Sequence, residues 1–168
     1  MITFKATQLT LKDLQVKPET VTESDTFFSW HVNLFTLYGR KHYVFVNDLS
    51  ILSLTVSGIR TKQANKLLAI FKKNLEAYMA FEGIPQEWAQ YYLDQCNERL
   101  ITKTDSRSVI GSMNEIIFVM KALEGNDNDF RDENARHKFN NRGIYKPIDY
   151  HEPIKVFVKE LQMRFEAR

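Results

Sequence analysis

The sequence predicts an α+β domain: an antiparallel, hairpin-rich β meander with about four helices packed mainly on one face. Three observations carry this. Over residues 28–34, Phe28, Trp30, Val32 and Leu34 alternate with Ser29, His31 and Asn33, the period of a strand with one apolar face. Two further β-rich runs follow closely, at 43–46 and 51–56, too near for crossover helices between them. After Gly58 the apolar period becomes three-and-four, as on helices that bury one stripe.

Each element can be justified in turn. Residues 2–6 read as a short first strand, and Leu9, Leu11 and Leu14 as a short helix or turn ending near Pro18. The polar stretch 19–25 reads as a loop. Gly39-Arg40 would join the first two meander strands, since Gly at the first loop position suits a type II′ turn. That register sets Tyr38 against Lys41 and His31 against Asp48. Asn47-Asp48-Leu49-Ser50 supplies the next turn. Ala64, Leu67, Leu68, Phe71, Leu75, Tyr78 and Met79 form the buried stripe of a long helix, stopped by Gly83 and Pro85. Trp88, Tyr92, Leu93 and Cys96 point inward from a shorter helix, and 100–102 reads as a short strand. Asp105 or Ser106 caps a third helix with Val109, Ile110, Met113, Ile116, Ile117, Met120 and Leu123 inward. Pro153 suits the first turn of a last helix that buries Ile154, Phe157, Val158, Leu161 and Phe165. Loops are expected at 125–129 and 140–143. The chain thus reads as a single domain, 1–168, with a core of sheet and helices over 1–124. Residues 125–168 form a loop-rich extension that ends in a C-terminal helix.

The 168 residues, 43% of them hydrophobic, suffice for a core without disulfides or a structural metal. A net charge of +2 is not the field of a strong, sequence-independent DNA binder. The single cysteine, Cys96, has no internal partner and lies in register with Trp88 and Tyr92, which suits a packing thiol. No apolar run approaches the ~18 residues that span a bilayer. The first residues lack a basic-then-apolar leader, so a cytoplasmic location and no membrane partner are expected.

His31 and Asp48 are the candidate catalytic residues. A carboxylate beside an imidazole fixes its tautomer and raises its basicity, as general acid–base work requires. A polar solvent face is the simpler reading of the same strand. The second constellation opens the third helix, where free N–H groups favour an anion. There Arg107 adds charge, Ser108, Gly111, Ser112 and Glu115 share one stripe, and Asn114 lies beside them. A glycine inside a helix costs about 1 kcal/mol against alanine. Close helix packing or a ligand would offset that cost. The meander is also crowded with aromatics beside Arg40, Lys41 and His42, a pattern that serves either a sheet core or single-strand binding. Scattered histidines, and the absence of paired Cys-x-x-Cys or glycine-rich phosphate loops, give no reason to expect a metal or cofactor.

Arg131-Asp132-Glu133-Asn134-Ala135-Arg136-His137 resembles the arginine–polar–spacer–histidine motif of the all-helical HEPN ribonucleases, over this segment alone. That resemblance implies an Arg and His acting together on an RNA phosphodiester; the other reading is a solvated charged helix or loop. A longer ordered set resembles the signatures of an uncharacterised bacterial domain-of-unknown-function family. It comprises Trp30-His31-x-Asn33-Leu34, Arg40-Lys41, Phe45-x-Asn47-Asp48 and Arg107-Ser108-x-x-Gly111-Ser112-Met113-Asn114. The resemblance implies a small bacterial cytoplasmic protein and brings no activity with it.

The leading functional expectation is a module binding an anionic or polar partner: a nucleic acid, a nucleotide or another protein. Asn33, Arg40, Lys41, Arg107, Ser108, Ser112 and Asn114 would supply the contacts. The competing reading is a metal-independent phosphodiester-cleaving enzyme with His31, oriented by Asp48, as general acid–base and Arg107 steadying the phosphate. A third makes both clusters the turns and caps of a structural protein.

Overall fold

A computed structural model describes residues 1–125 and 130–168; part of the loop expected at 125–129 therefore lies outside the described residues. Five strands form one sheet: β1 (Ile2–Ala6), β2 (Ser29–Leu37), β3 (Arg40–Asn47), β4 (Ser53–Ser57) and β5 (Arg99–Lys103), in the order β4-β3-β2-β1-β5. The meander β2-β3-β4 is antiparallel as expected, but β1 runs parallel to both β2 and β5. The sheet is therefore mixed. Strand β1 reaches β2 through α1 (Gln8–Leu14), and β5 arrives after the helices α2 (Ala64–Phe81) and α3 (Gln86–Asp94). Such crossovers are what parallel pairing needs.

A sheet with parallel strands inside it is usually covered on both faces, and this corrects the expectation of helices mainly on one. Among the described residues there are six α-helices. Ile2, Phe4, Trp30, Val32, Tyr43 and Phe45 face α1, α2, α3 and α6 (Pro153–Glu166), whose Leu11, Phe71, Tyr92 and Phe157 complete the larger core. On the opposite face, Phe35, Leu37, Val44 and Val46 meet Val109, Met113, Ile116 and Met120 of α4 (Arg107–Ala122). The larger core is dense in edge-on aromatic contacts around Phe71 and Phe157. Cys96 is fully buried within it, and burial pushes its thiol pKa up to about 12, as an inert packing thiol requires.

The β2–β3 turn also differs from expectation. Leu37 pairs with Arg40, so the loop is Tyr38-Gly39, and both residues have positive φ, 50° and 70°. That is the type I′ geometry, with Gly second, and its twist matches the strands. The register moves by two residues, so every side chain keeps its face.

Helix α5 (Glu133–Asn140) was not expected as a packed element. It lies along the outer edge of β4. Its side chains take the place of a neighbouring strand. Asn141, just beyond α5, accepts from Ser53 N at 2.7 Å and donates to Ser53 O at 2.9 Å. His137 Nε2 lies 2.8 Å from Thr55 N and accepts from it as a neutral ring, while Arg136 Nε donates to Thr55 Oγ1. An exposed edge strand invites pairing with other chains, and here it is closed. The opposite edge is closed by Glu19, whose N–H donates to Ile101 O.

Burial lowers the His137 pKa to about 4, well under its ordinary 6.5. Between pH 6.5 and 4 the unfolded chain takes up a proton that the native ring refuses, so stability falls as pH falls, by up to about 3 kcal/mol. Urea denaturation across this interval should show that loss. His137→Gln, which keeps an acceptor for Thr55 N, should flatten the profile. Some slope will remain, because burial also holds His42 below its ordinary value.

Candidate functional site

The alternation of β1 places Thr3 and Lys5 opposite Ile2, Phe4 and Ala6. Parallel pairing then sets Lys5 beside His31. His31 faces Val46 across the hairpin, and Asp48 continues the ladder opposite Ser29, donating its N–H to Ser29 O at 2.9 Å. Asp48 is thus diagonal to His31, within reach of its ring. Their hydrogen bond forms at 2.7 Å, from His31 Nδ1 to Asp48 Oδ1, although the register is not the one expected.

Lys5 completes the cluster, and the sequence reading passed over it. Its Nζ lies 2.7 Å from Asp48 Oδ2 and 3.1 Å from Asp105 Oδ2. Burial disfavours the ammonium, but hydrogen bonds and charge attraction from Asp48 and Asp105 outweigh this and raise the Lys5 pKa. On the far side of the ring, Asp105 N donates to His31 Nε2 at 3.4 Å, with Asp105 Oδ1 3.6 Å away. Nδ1 thus faces the Asp48 carboxylate, and Nε2 faces the Asp105 backbone N–H.

The turn that carries Asp48 is itself rigid. Buried Asn47 donates through Nδ2 to Phe27 O and accepts through Oδ1 from the Ser50 N–H and hydroxyl. This network holds Ile51 at φ 61°, a costly conformation for a β-branched residue.

Two consequences follow for chemistry. His31 has no exposed surface and its Nε2 lies under Asp105, so the dyad is enclosed rather than open to a substrate. His31, Asp48 and Asp105 do offer three ligand atoms within 4.8 Å of one another. Yet the ammonium of Lys5 already bridges both carboxylates and supplies the positive charge that a metal ion would bring.

The other candidates do not join this cluster. Arg107, Ser108 and Ser112 line a depression of about 740 Å³ beside α4, together with Gly111, Glu115, Ile144, Lys146 and Tyr150. A Cβ built on Gly111 would meet nothing within 4 Å, so this glycine admits no packed helix; the space above it is open. Asn114 is exposed on α4 outside that depression. Asn33 Oδ1 accepts from Thr7 Oγ1 at 2.7 Å, beside the start of α1. Arg40 and Lys41 belong to the hairpin end, where Lys41 pairs with Asp13 at 2.8 Å. Most meander aromatics are core residues. In the HEPN-like segment Arg136 and His137 are buried and hydrogen-bonded to β4, while Arg131 and Asp132 are exposed.

A second depression, about 870 Å³, was missed from the sequence. It is lined by Phe118, Val119, Phe130, Phe139, Ile144 and Tyr145 among others, and it shares Glu115 and Ile144 with the first. The two form one trough along α4. Phe118 is 73% exposed and Ile144 66%. A signal was present: Phe118 and Val119 are apolar residues lying off the buried stripe of α4.

Fold and site together define a three-layered α+β protein with a mixed sheet, a buried Lys–Asp–His cluster and a surface trough. The chain belongs to the family described as a domain of unknown function (DUF6933), whose model matches residues 3–156. No curated protein matches it. No helix among the described residues is long and apolar enough to cross a membrane.

Asp48→Ala should cost about 3–5 kcal/mol, because it leaves a buried ammonium only the exposed Asp105 carboxylate and strands the His31 N–H. Asp105→Ala should cost about 1 kcal/mol or less, since its carboxylate is largely exposed. Adding Lys5→Met to Asp48→Ala should recover part of the loss. Urea unfolding of the three variants measures the ordering, and equal costs at Asp48 and Asp105 would refute it.

Proposed function

We propose that this protein is a binding module, and that its ligand is a segment of another protein chain, apolar along most of its length and acidic at one end. The continuity of the trough along α4 carries this reading. At one end Arg107 and Lys146 stand beside the open floor of Ser108 and Gly111, with Tyr150 exposed at the margin. At the other, Phe118, Val119, Phe139 and Ile144 leave apolar surface in water. Exposed apolar ground of this kind, rimmed by polar groups, marks interaction sites. Grooves of this form take amphipathic segments by their apolar side chains.

Charge favours a protein partner over a nucleic acid. A nucleic acid carries a negative charge at every nucleotide and asks for cations along its whole path. Here the basic residues without an ion pair among the described residues are Arg107 and Lys146 at one end and Lys138 at the other, while Glu115 stands between. The enclosure of His31 favours binding over hydrolysis.

A photoreactive amino acid replacing Phe118 should trap a protein segment of this character in cells, its position mapped by mass spectrometry. The synthetic segment should then bind the purified protein, and Ile144→Glu and Arg107→Glu should each weaken it by more than about 1 kcal/mol. Both replaced side chains are exposed, so unfolding midpoints should hardly move. Trapping of RNA at the same position, sensitive to Arg107→Glu, would overturn the assignment.

A further inference from the structure

A second concave site lies between the β2–β3 hairpin and α5, and it shares no lining residue with the trough. Its volume is about 380 Å³, and its lining includes Arg40, His42, Ser57, Arg131, Glu133 and Arg136. Three guanidinium groups therefore meet one carboxylate. That carboxylate is already engaged, since Glu133 Oε1 accepts from Ser57 Oγ at 3.2 Å. None of the three arginines has a carboxylate within 4 Å among the described residues, whereas Lys5, Lys41, Arg142 and Arg164 all do.

Two of the arginines are also held in place. Arg136 is buried, fixed by Nε to Thr55 Oγ1 and by Nη1 to Phe130 O, and its Nη2 has no partner among the described residues. Arg131 stacks on the ring of Tyr38, 5.1 Å from its centroid, which orients the guanidinium plane. Tyr38 is itself fixed by the I′ turn, and Arg40 follows directly after that turn. His42 donates through Nδ1 to Arg40 O, which leaves Nε2 unengaged by that bond. Burial chiefly lowers the His42 pKa; the charges of Arg136 and Arg40 add to this, against the hydrogen bond to Arg40 O and the charge of Glu133, which raise it. A guanidinium buried without a counter-charge is unfavourable unless an anion supplies it. Planar forks of this kind match phosphate oxygens two at a time.

We propose that this cavity binds a phosphate dianion, the phosphomonoester group of a small ligand. The lining carries two positive charges in excess when His42 is neutral, which matches a dianion; a lone carboxylate would leave one uncompensated. The volume admits the phosphate and a modest organic substituent. Free phosphate offers the same chemistry, and the experiment separates the two sources.

Thermal unfolding is followed as inorganic phosphate, phenyl phosphate or adenosine monophosphate is added, with chloride at matched ionic strength as the control. The intact protein should show a saturable rise in Tm. Arg40→Ala and Arg131→Ala, both at exposed side chains, should each weaken the apparent affinity about tenfold. Lys146→Ala in the trough should leave the response unchanged, so this test fails or succeeds apart from the trough reading. Tighter binding of an organic phosphate assigns the site to phosphomonoesters, and equal binding assigns it to the phosphate group alone. No rise beyond the chloride control, or an equal rise in the Arg40→Ala/Arg131→Ala double variant, would overturn the proposal.

Discussion

An ammonium group set into the middle of a sheet must find carboxylates, and most of this architecture can be read as the way Lys5 finds two. Lys5 belongs to a strand with neighbours on both sides, so its side chain cannot escape to an edge. Asp48 reaches it from the turn after β3, and Asp105 from the segment that leads into α4. The pair of bonds therefore ties together β1, the meander and the start of α4. His31 fills the remaining corner, donating to one carboxylate and accepting from the backbone of the other. Pairing alone is a weak argument for stability when charges are buried. Its force here is positional, because it fixes where α4 begins over the sheet.

Once that start is fixed, the period of α4 does the rest. Val109, Met113, Ile116 and Met120 close on the apolar end of the sheet face, so the polar cluster and the second core share one layer. The same rotation turns Ser108 and Gly111 outward and leaves Phe118 and Val119 on the solvent side. The buried cluster and the surface trough are thus two sides of one placement. A similar economy governs the sheet edge. The Thr55 N–H needs a partner, and a buried His137 provides one only while neutral.

Much of this was legible in the sequence, and the divisions are physical. Helices α2, α4 and α6 announce themselves through long stripes with clear stops, and the meander through tight alternation. The parallel pairing of β1 left no local mark, because a strand whose partners lie 26 and 97 residues further on (Thr3 with Ser29, Ile2 with Arg99) carries no turn between them. The helix α5 was hidden because it buries Arg136 and His137, and its neighbour Asn141, through hydrogen bonds rather than through an apolar stripe. The hairpin register was missed by two residues, since Gly39 serves the second loop position rather than the first. The His31–Asp48 contact was anticipated nonetheless, because a two-residue shift preserves faces and a diagonal neighbour still reaches. Lys5 and Asp105 could be joined to it only once β1 was placed.

The net charge of +2 gains meaning from this arrangement. A few cations are engaged in ion pairs within the fold: Lys5 with Asp48 and Asp105, Lys41 with Asp13, Arg142 with Glu82 and Arg164 with Asp25. Among the cations without an ion pair in the described residues, two groups line cavities. Arg107 and Lys146 stand at one end of the trough, and Arg40, Arg131 and Arg136 converge beside the hairpin. A nearly neutral chain can therefore present two local positive potentials, each shaped by the cavity that contains it. Attraction of this kind is short in range and set by geometry, because salt screens exposed charges beyond about 10 Å. It selects ligands whose negative groups fit the cavity, rather than polyanions drawn in by a general field.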